Sequence, residues 1–375
     1  MKKEEFAIAF SERDREVAIK EASLKIKVIF PKAISYLIIL FTPHYNPSNI
    51  LKTINLTLKP QKVLGIESPF LIFEEKIIQK GIVVLCMNKE NLKLQEFFSS
   101  TEEPQKTESL LRFSFKEVKK RNFSLISFLS PSINPSSYLS DIRLSFGEIF
   151  NHVGAGYTKR YSAHTYQIAN DYVKEGFLSI MVRGMQINSV VSKGYLPLGK
   201  PFAITKVALN RNIIKEINNK PAINMYKHFL EDKFDNFIKN NLFSFYPLGI
   251  KRNDSIQLVS VSECLEDGSL LCVGELKEKS YGHIMLLDSE LFFKELKSKI
   301  ETLKENGEGL IFVINSLSRK KILKDSSEEE LKLIKKIGGE ESKIIGLYSD
   351  YSFSPDEKTG YMSMEAGNLL VTLWH

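Results

Sequence analysis

The chain has 375 residues, 43% hydrophobic and 26% charged, a composition that excludes wholesale disorder and leaves apolar material for more than one core. Its formal charge of +7 is spread among acidic residues, and the densest basic run, Lys116-Glu-Val-Lys-Lys-Arg121, carries no interleaved aromatics, so it reads as a solvated face and not as a nucleic-acid surface. Cys86, Cys264 and Cys272 sit in or beside apolar runs with no Cys-x-x-Cys pair, which argues against a disulfide framework and a zinc or redox motif.

The elements follow in chain order. The N-terminus is charged too early for a secretory signal. A helix is predicted over Glu12–Ser23. The longest apolar stretch, Ala33–Phe41, is far below the roughly 20 residues that span a bilayer. It reads as a buried strand, and a cytoplasmic protein without membrane insertion is expected. Helix Asn49–Leu56 presents Ile50, Leu51 and Ile54 on one face. Strands follow at Lys62–Ile66, Gly81–Met87 and Ser124–Leu129, interrupted by a polar loop, Ser99–Ser109. Helix Ser137–Phe150 precedes Val153-Gly-Ala-Gly-Tyr157, and an antiparallel meander starts at Gly176.

Gly194-Tyr-Leu-Pro-Leu-Gly-Lys-Pro201 misses the phosphate-loop pattern by one residue. Pro197 removes a backbone donor, Pro201 stands where a metal-binding hydroxyl belongs, and the following run is strand-like and not helical. A Pro-Leu-Gly turn between two strands is the expectation; the tripeptide returns at Pro247-Leu-Gly249.

A helix over Ala222–Asn240 carries an aromatic stripe, Tyr226, Phe229, Phe234 and Phe237, read as core. Strands Ser255–Val261 and Leu270–Leu276 flank the turn signal Glu266-Asp-Gly268, and strand His283–Leu287 follows. Then come helix Phe292–Glu305, strand Gly309–Asn315, a capping box Ser327-Glu-Glu-Glu330 opening helix Glu328–Ile337, and strands Lys343–Ser349 and Asn368–Trp374. This order predicts the α+β class: two mixed, largely antiparallel sheet-and-helix domains, residues 1–215 and 216–375.

Chemistry is sparse. The chain has no His-Glu-x-x-His and no Gly-x-Ser-x-Gly, and no metal or cofactor is expected. A hydrolytic pair assembled in space, for instance around Ser162 and His164, is an alternative, and an interaction module without a small ligand is another.

The order of motifs resembles the FIST family, a two-part sensory module. Leu37–Asn46 resembles its first buried strand and polar loop, Lys62–Pro69 its next strand, and Val153–Tyr157 its Gly-rich stretch. Gly194–Thr205 resembles its G-x-x-P-x-G turn, and Glu216–Ala222 with Pro247–Gly249 its passage into the second half. Asp267–Leu270, Phe312–Arg319 and Gly346–Tyr351 resemble C-terminal segments, although Asn315-Ser316 stands where the family has cysteine and Ser352-Phe353 where it has Gly-Glu. The resemblance implies a non-enzymatic intracellular sensor that binds a small ligand, an amino acid or related carboxylate, and signals through a separate output protein. Four residues are expected to bind it: Arg319 forking onto a carboxylate, Asp350 receiving an amine, and Tyr157 and Tyr348 as walls.

Overall fold

The computed structural model describes residues 5–31, 34–89, 91–100, 123–147, 150–159, 164–208, 212–252, 255–274 and 276–375. The basic run 116–121 and most of the predicted loop, 101–109, lie outside them; Ser99 and Ser100 end a strand.

One supersecondary pattern occurs three times. The first unit runs β1 (Phe6–Ser11), α1 (Arg15–Ile29), β2 (Tyr36–Phe41), α2 (Pro47–Thr57), β3 (Lys62–Glu67), a hairpin β4 (Leu71–Phe73) and β5 (Lys76–Ile78), and β6 (Ile82–Met87). The second runs β7 (Lys93–Ser100), β8 (Ser124–Leu129), α3 (Pro135–Phe146), β9 (Asn151–Gly156), hairpin β10 (Gln167–Ala169) and β11 (Tyr172–Lys174), and β12 (Gly176–Arg183). The third opens with β13 (Ile187–Ser192) and is then interrupted.

The interruption contains β14 (Tyr195–Ala208), β15 (Ile213–Ile217), β16 (Lys220–Pro221), α4 (Ile223–Leu230), α5 (Phe234–Lys239), β17 (Leu248–Arg252), β18 (Ser255–Cys264), β19 (Leu270–Val273) and β20 (Tyr281–Leu287). Its strands pair in the order β14-β20-β17-β18-β19-β15, and β14 also pairs with β15, so the sheet closes on itself. The third unit resumes with α6 (Ser289–Lys304), β21 (Leu310–Ser316), α7 (Leu317–Leu323), α8 (Ser327–Gly338), β22 (Lys343–Ser349), hairpin β23 (Tyr351–Pro355) and β24 (Met362–Ala366), and β25 (Leu369–Trp374).

Each unit builds one six-stranded sheet and lends its hairpin to another. β2–β3, β8–β9 and β21–β22 are parallel pairs, while β6, β12 and β25 run antiparallel beside β2, β8 and β21. Hairpin β10–β11 joins β3, β23–β24 joins β9, and β4–β5 joins β22. Strands from both sides of position 215 therefore share two of these sheets, and 215/216 falls inside β15. The class is α+β with mostly antiparallel pairing, as the sequence predicts.

The inner faces of the three sheets enclose one core, with Ile38, Phe128, Phe312 and Trp374 among its members. The outer faces pack against helices: Ile39 and Val84 with α1 and α2, Leu125 and Phe177 with α3, Val313 and Val371 with α6 and α8. Burial on both faces explains why β2 reads as the unbroken apolar run YLIILF and does not alternate. At one register the parallel pairs match Ile39 with Gly65, Ser127 with Gly154 and Val313 with Gly346. A Cβ on Gly154 or Gly346 would overlap the Ser127 or Val313 carbonyl oxygen, whereas on Gly65 it would meet the Ile168 side chain. Gly346→Ala is therefore expected to cost on the order of 1–3 kcal/mol, read as a lower urea midpoint, and Gly65→Ala less, because a side chain yields more readily than backbone.

Three local expectations are corrected. The Pro-Leu-Gly stretch after Gly194 is no turn between strands; it lies inside β14, where the register to β20 shifts between Leu198 and Phe202 at Gly199, φ +63°. The aromatic helix is two short helices, broken where Glu231 takes φ +46°; Tyr226 and Phe237 are buried in the closed sheet. Ser327 forms no capping box, because Glu330 turns into the core and Ser327 Oγ donates to Lys324 O at 2.7 Å.

Candidate functional site

A cleft of about 870 Å³ opens between α3, the β17–β18 end of the closed sheet and the loop of hairpin β23–β24. The local sequence fixes each wall. Asn134 Oδ1 accepts from the N–H groups of Ser136 and Ser137 at 3.0 and 3.1 Å, and Pro135 starts the helix, so α3 presents Ser136, Ser137 and Ser140 to the cleft. Asn212 Nδ2 donates to Ser136 Oγ at 2.8 Å. Across the opening, Asp356 Oδ1 accepts from Thr359 N and Thr359 Oγ1 at 2.9 and 2.8 Å and so ties its own loop. Burial alone would raise the Asp356 pKa, but these hydrogen bonds outweigh it and hold the carboxyl below the usual range.

The lining carries both signs: Arg143, Lys251, Arg252 and Lys277 against Asp141 and Asp356. Gln257, 3% exposed, lines it as well; its Nε2 donates to Met364 O at 2.7 Å, and its Oε1 accepts no hydrogen bond among the described residues. This mixture suits a ligand with opposite charges and hydrogen-bonding groups.

The corresponding junctions of helix and hairpin are filled in the other two sheets. In the first, α2 packs on β10. In the third, α8 packs on β5, Ile77 N donates to Glu328 Oε1 at 3.1 Å, and Lys335 pairs with Glu74 at 2.8 Å.

None of the four residues expected from sequence lines this cleft. They fall into two groups near the ends of β9 and β22. Arg319, fully buried, directs Nε and Nη2 to Glu330 Oε1 at 3.2 and 2.9 Å and Nη1 to the carbonyls of Lys193 and Gly367 at 2.9 and 3.3 Å. Its guanidinium carbon lies 3.8 Å from the centroid of the Phe292 ring. Asn315 Nδ2 joins Glu330 Oε2, at 2.6 Å, to the Tyr348 hydroxyl, at 3.3 Å. Arg319 and Tyr348 thus share one buried network that ties α7 and α8 to the strands beneath. In the second group Asp350 Oδ2 accepts from Thr158 N and Oγ1 at 2.6 and 2.9 Å, beside a cavity of about 10 Å³, room for a single water. Tyr157 is buried, and its hydroxyl has no well-formed hydrogen bond among the described residues.

Of the hydrolytic alternative, Ser162 lies outside the described residues, and His164 Nδ1 sits 2.5 Å from Glu175 Oε1. Among the described residues no cluster of three metal-ligating side chains occurs, and no helix is long and apolar enough to cross a membrane.

Sequence reading missed Arg143, Gln257 and Met362, which the fold brings to the cleft from three distant segments. It also passed over a repeated signal: Thr42-Pro-His-Tyr-Asn-Pro47 and Ser130-Pro-Ser-Ile-Asn-Pro135 each follow an apolar strand and open a capped helix.

Comparison with known proteins finds the FIST N domain over residues 36–220 and the FIST C domain over residues 222–350. No curated protein matches the chain. The join between the two domains falls at β16, within the closed sheet. With both halves matched in order across most of its length, the chain belongs to the FIST family.

Proposed function

We propose that the protein is a sensor that binds a small carboxylate or amino acid in the cleft beside α3 and signals through a separate partner. FIST domains are sensory signal-transduction domains. The observation that carries the reading is the cleft itself: among the described residues, one of three equivalent junctions is open, polar and lined by both charges. Cationic side chains on β17 and α3 suit a carboxylate, and Asp141 and Asp356 suit an ammonium group.

Thermal unfolding against a panel of amino acids, carboxylates, nucleotides and sugars tests it. A ligand at about 100 times its dissociation constant adds roughly 2.7 kcal/mol. The expected result is a concentration-dependent rise in melting temperature with one chemical class, abolished by Ser137→Trp, which fills the cleft from an exposed position. A response that survives Ser137→Trp unchanged would place the ligand elsewhere.

A further inference from the structure

Because the three sheets share one register, two of them show what the fold requires of the third. Ser127 and Ser179 on the outer face of the second sheet are paired. Their places are held by Ile39 and Val84 in the first sheet and by Val313 and Val371 in the third. His152 takes the place of Val63 and Ile344. Tyr138, three residues after the proline of α3, takes that of Ile50 in α2. At these places the first sheet and its helix carry Ile39, Val84, Val63 and Ile50, and the third sheet Val313, Val371 and Ile344, so the second sheet alone is polar there.

These four side chains form a chain of hydrogen bonds. His152 Nε2 is 2.8 Å from Ser127 Oγ, which is 2.6 Å from the Tyr138 hydroxyl, which is 2.7 Å from Ser179 Oγ. All four are buried, and the imidazole is stacked between Phe150 and Phe353. Buried polar groups cost stability relative to packed aliphatics unless fully satisfied. This chain is poorly satisfied at its outer end: among the described residues His152 Nδ1 meets only the thioether of Met362, a weak acceptor. Met362 lines the cleft, and its carbonyl oxygen accepts from Arg143 Nη2 at 2.9 Å. One residue thus occupies, with its oxygen and its sulfur, two acceptor places at the edge of the cleft.

We propose that this layer is the deep end of the ligand site: the Met362 side chain swings out, and a ligand carboxylate takes the place of its sulfur on His152 Nδ1, beside the Arg143 guanidinium. The inference rests on the cleft being the ligand site. Burial, reinforced by Arg143, lowers the His152 pKa to about 3, so the imidazole is neutral and carries one N–H. A ligand carboxylate at Nδ1 selects the tautomer with the N–H there, in which Nε2 accepts from Ser127, Ser127 from Tyr138 and Tyr138 from Ser179.

Two variants test this. The first carries Ser127→Val, Ser179→Val, His152→Val and Tyr138→Ile, the residues of the first sheet or their near equivalents. The second, Met362→Leu, keeps the volume and removes the sulfur. The probes are acetate, succinate and L-glutamate against acetamide, succinamide and L-glutamine, by calorimetric titration. The parent is expected to bind at least one carboxylate 10-fold or more tightly than its amide. The aliphatic variant is expected to melt no lower than the parent and to lose at least 10-fold in that affinity. Met362→Leu, which leaves His152 Nδ1 without its acceptor, is expected to bind the carboxylate several-fold more tightly. An aliphatic variant that melts well below the parent would show that the layer serves the fold and overturn the proposal. Unchanged affinities in both variants would overturn it and leave the cleft as the ligand site. A parent that ignores these carboxylates but responds to another class would overturn it and leave the sensor reading standing; a parent that responds to nothing would remove both.

Discussion

Arg319→Met is expected to destabilise the protein by about 3–5 kcal/mol, because it leaves Glu330 buried without its cation. Both side chains are fully buried, and every Arg319 contact is internal: a carboxylate, two backbone carbonyls and an aromatic face. Lys193 directly follows β13 and Gly367 lies in the turn between β24 and β25, so the guanidinium joins the start and the end of the third unit. Removing both charges together, as Arg319→Met with Glu330→Leu, is expected to recover much of the loss, since a buried ion pair and an apolar pair of similar volume are nearly equivalent. Urea unfolding of the two single variants and the double variant measures this. An Arg319→Met protein as stable as the parent that no longer responds to ligand would instead return Arg319 to the binding residues.

Glu67→Gln is expected to stabilise the protein in a pH-dependent way. Glu67 is 5% exposed, and burial raises its pKa from 4.5 to about 7, with the charge of Glu175 adding to the rise and Tyr166 N and His164 opposing it. The folded state therefore holds the proton more tightly than the unfolded state. That contribution is fully present below pH 4.5 and is lost as pH rises through 7. Above pH 7 the buried carboxylate costs up to about 3 kcal/mol relative to a neutral side chain. The variant and the parent are expected to have similar stability at pH 4 and to diverge steadily between pH 4.5 and 7. A difference that stays constant from pH 4 to pH 8 would contradict the raised pKa.

Local structure was largely legible in the sequence. Strands β2, β3, β6, β8, β21, β22 and β25 are buried on both faces, and their apolar runs announce them. The threefold pattern was not legible, because its units share register but few residues. Gly65, Gly154 and Gly346 mark one position, yet nothing in their neighbours shows that they correspond. The closed sheet inserted after β13 hides the third unit further. Family resemblance then pointed to Arg319 and Tyr348, whose residue types suit ligand binding equally well. Only their depth shows that their hydrogen bonds are used within the fold. The cleft gathers α3, β17 and the β23–β24 loop from widely separated segments, so no spacing rule reaches it. The Asn-Pro caps at Asn46 and Asn134 were the one local sign that two segments were built alike.

Hydrogen–deuterium exchange of the full chain, with and without the compound that raises its melting temperature most, tests the central claim. Slower exchange in residues 134–143, 248–252, 255–257 and 355–364 is the predicted result, since these segments carry the lining of the cleft. Protection confined to residues 315–319 and 348–350, with the walls unchanged, would contradict it and place the ligand beside Arg319 and Asp350 instead.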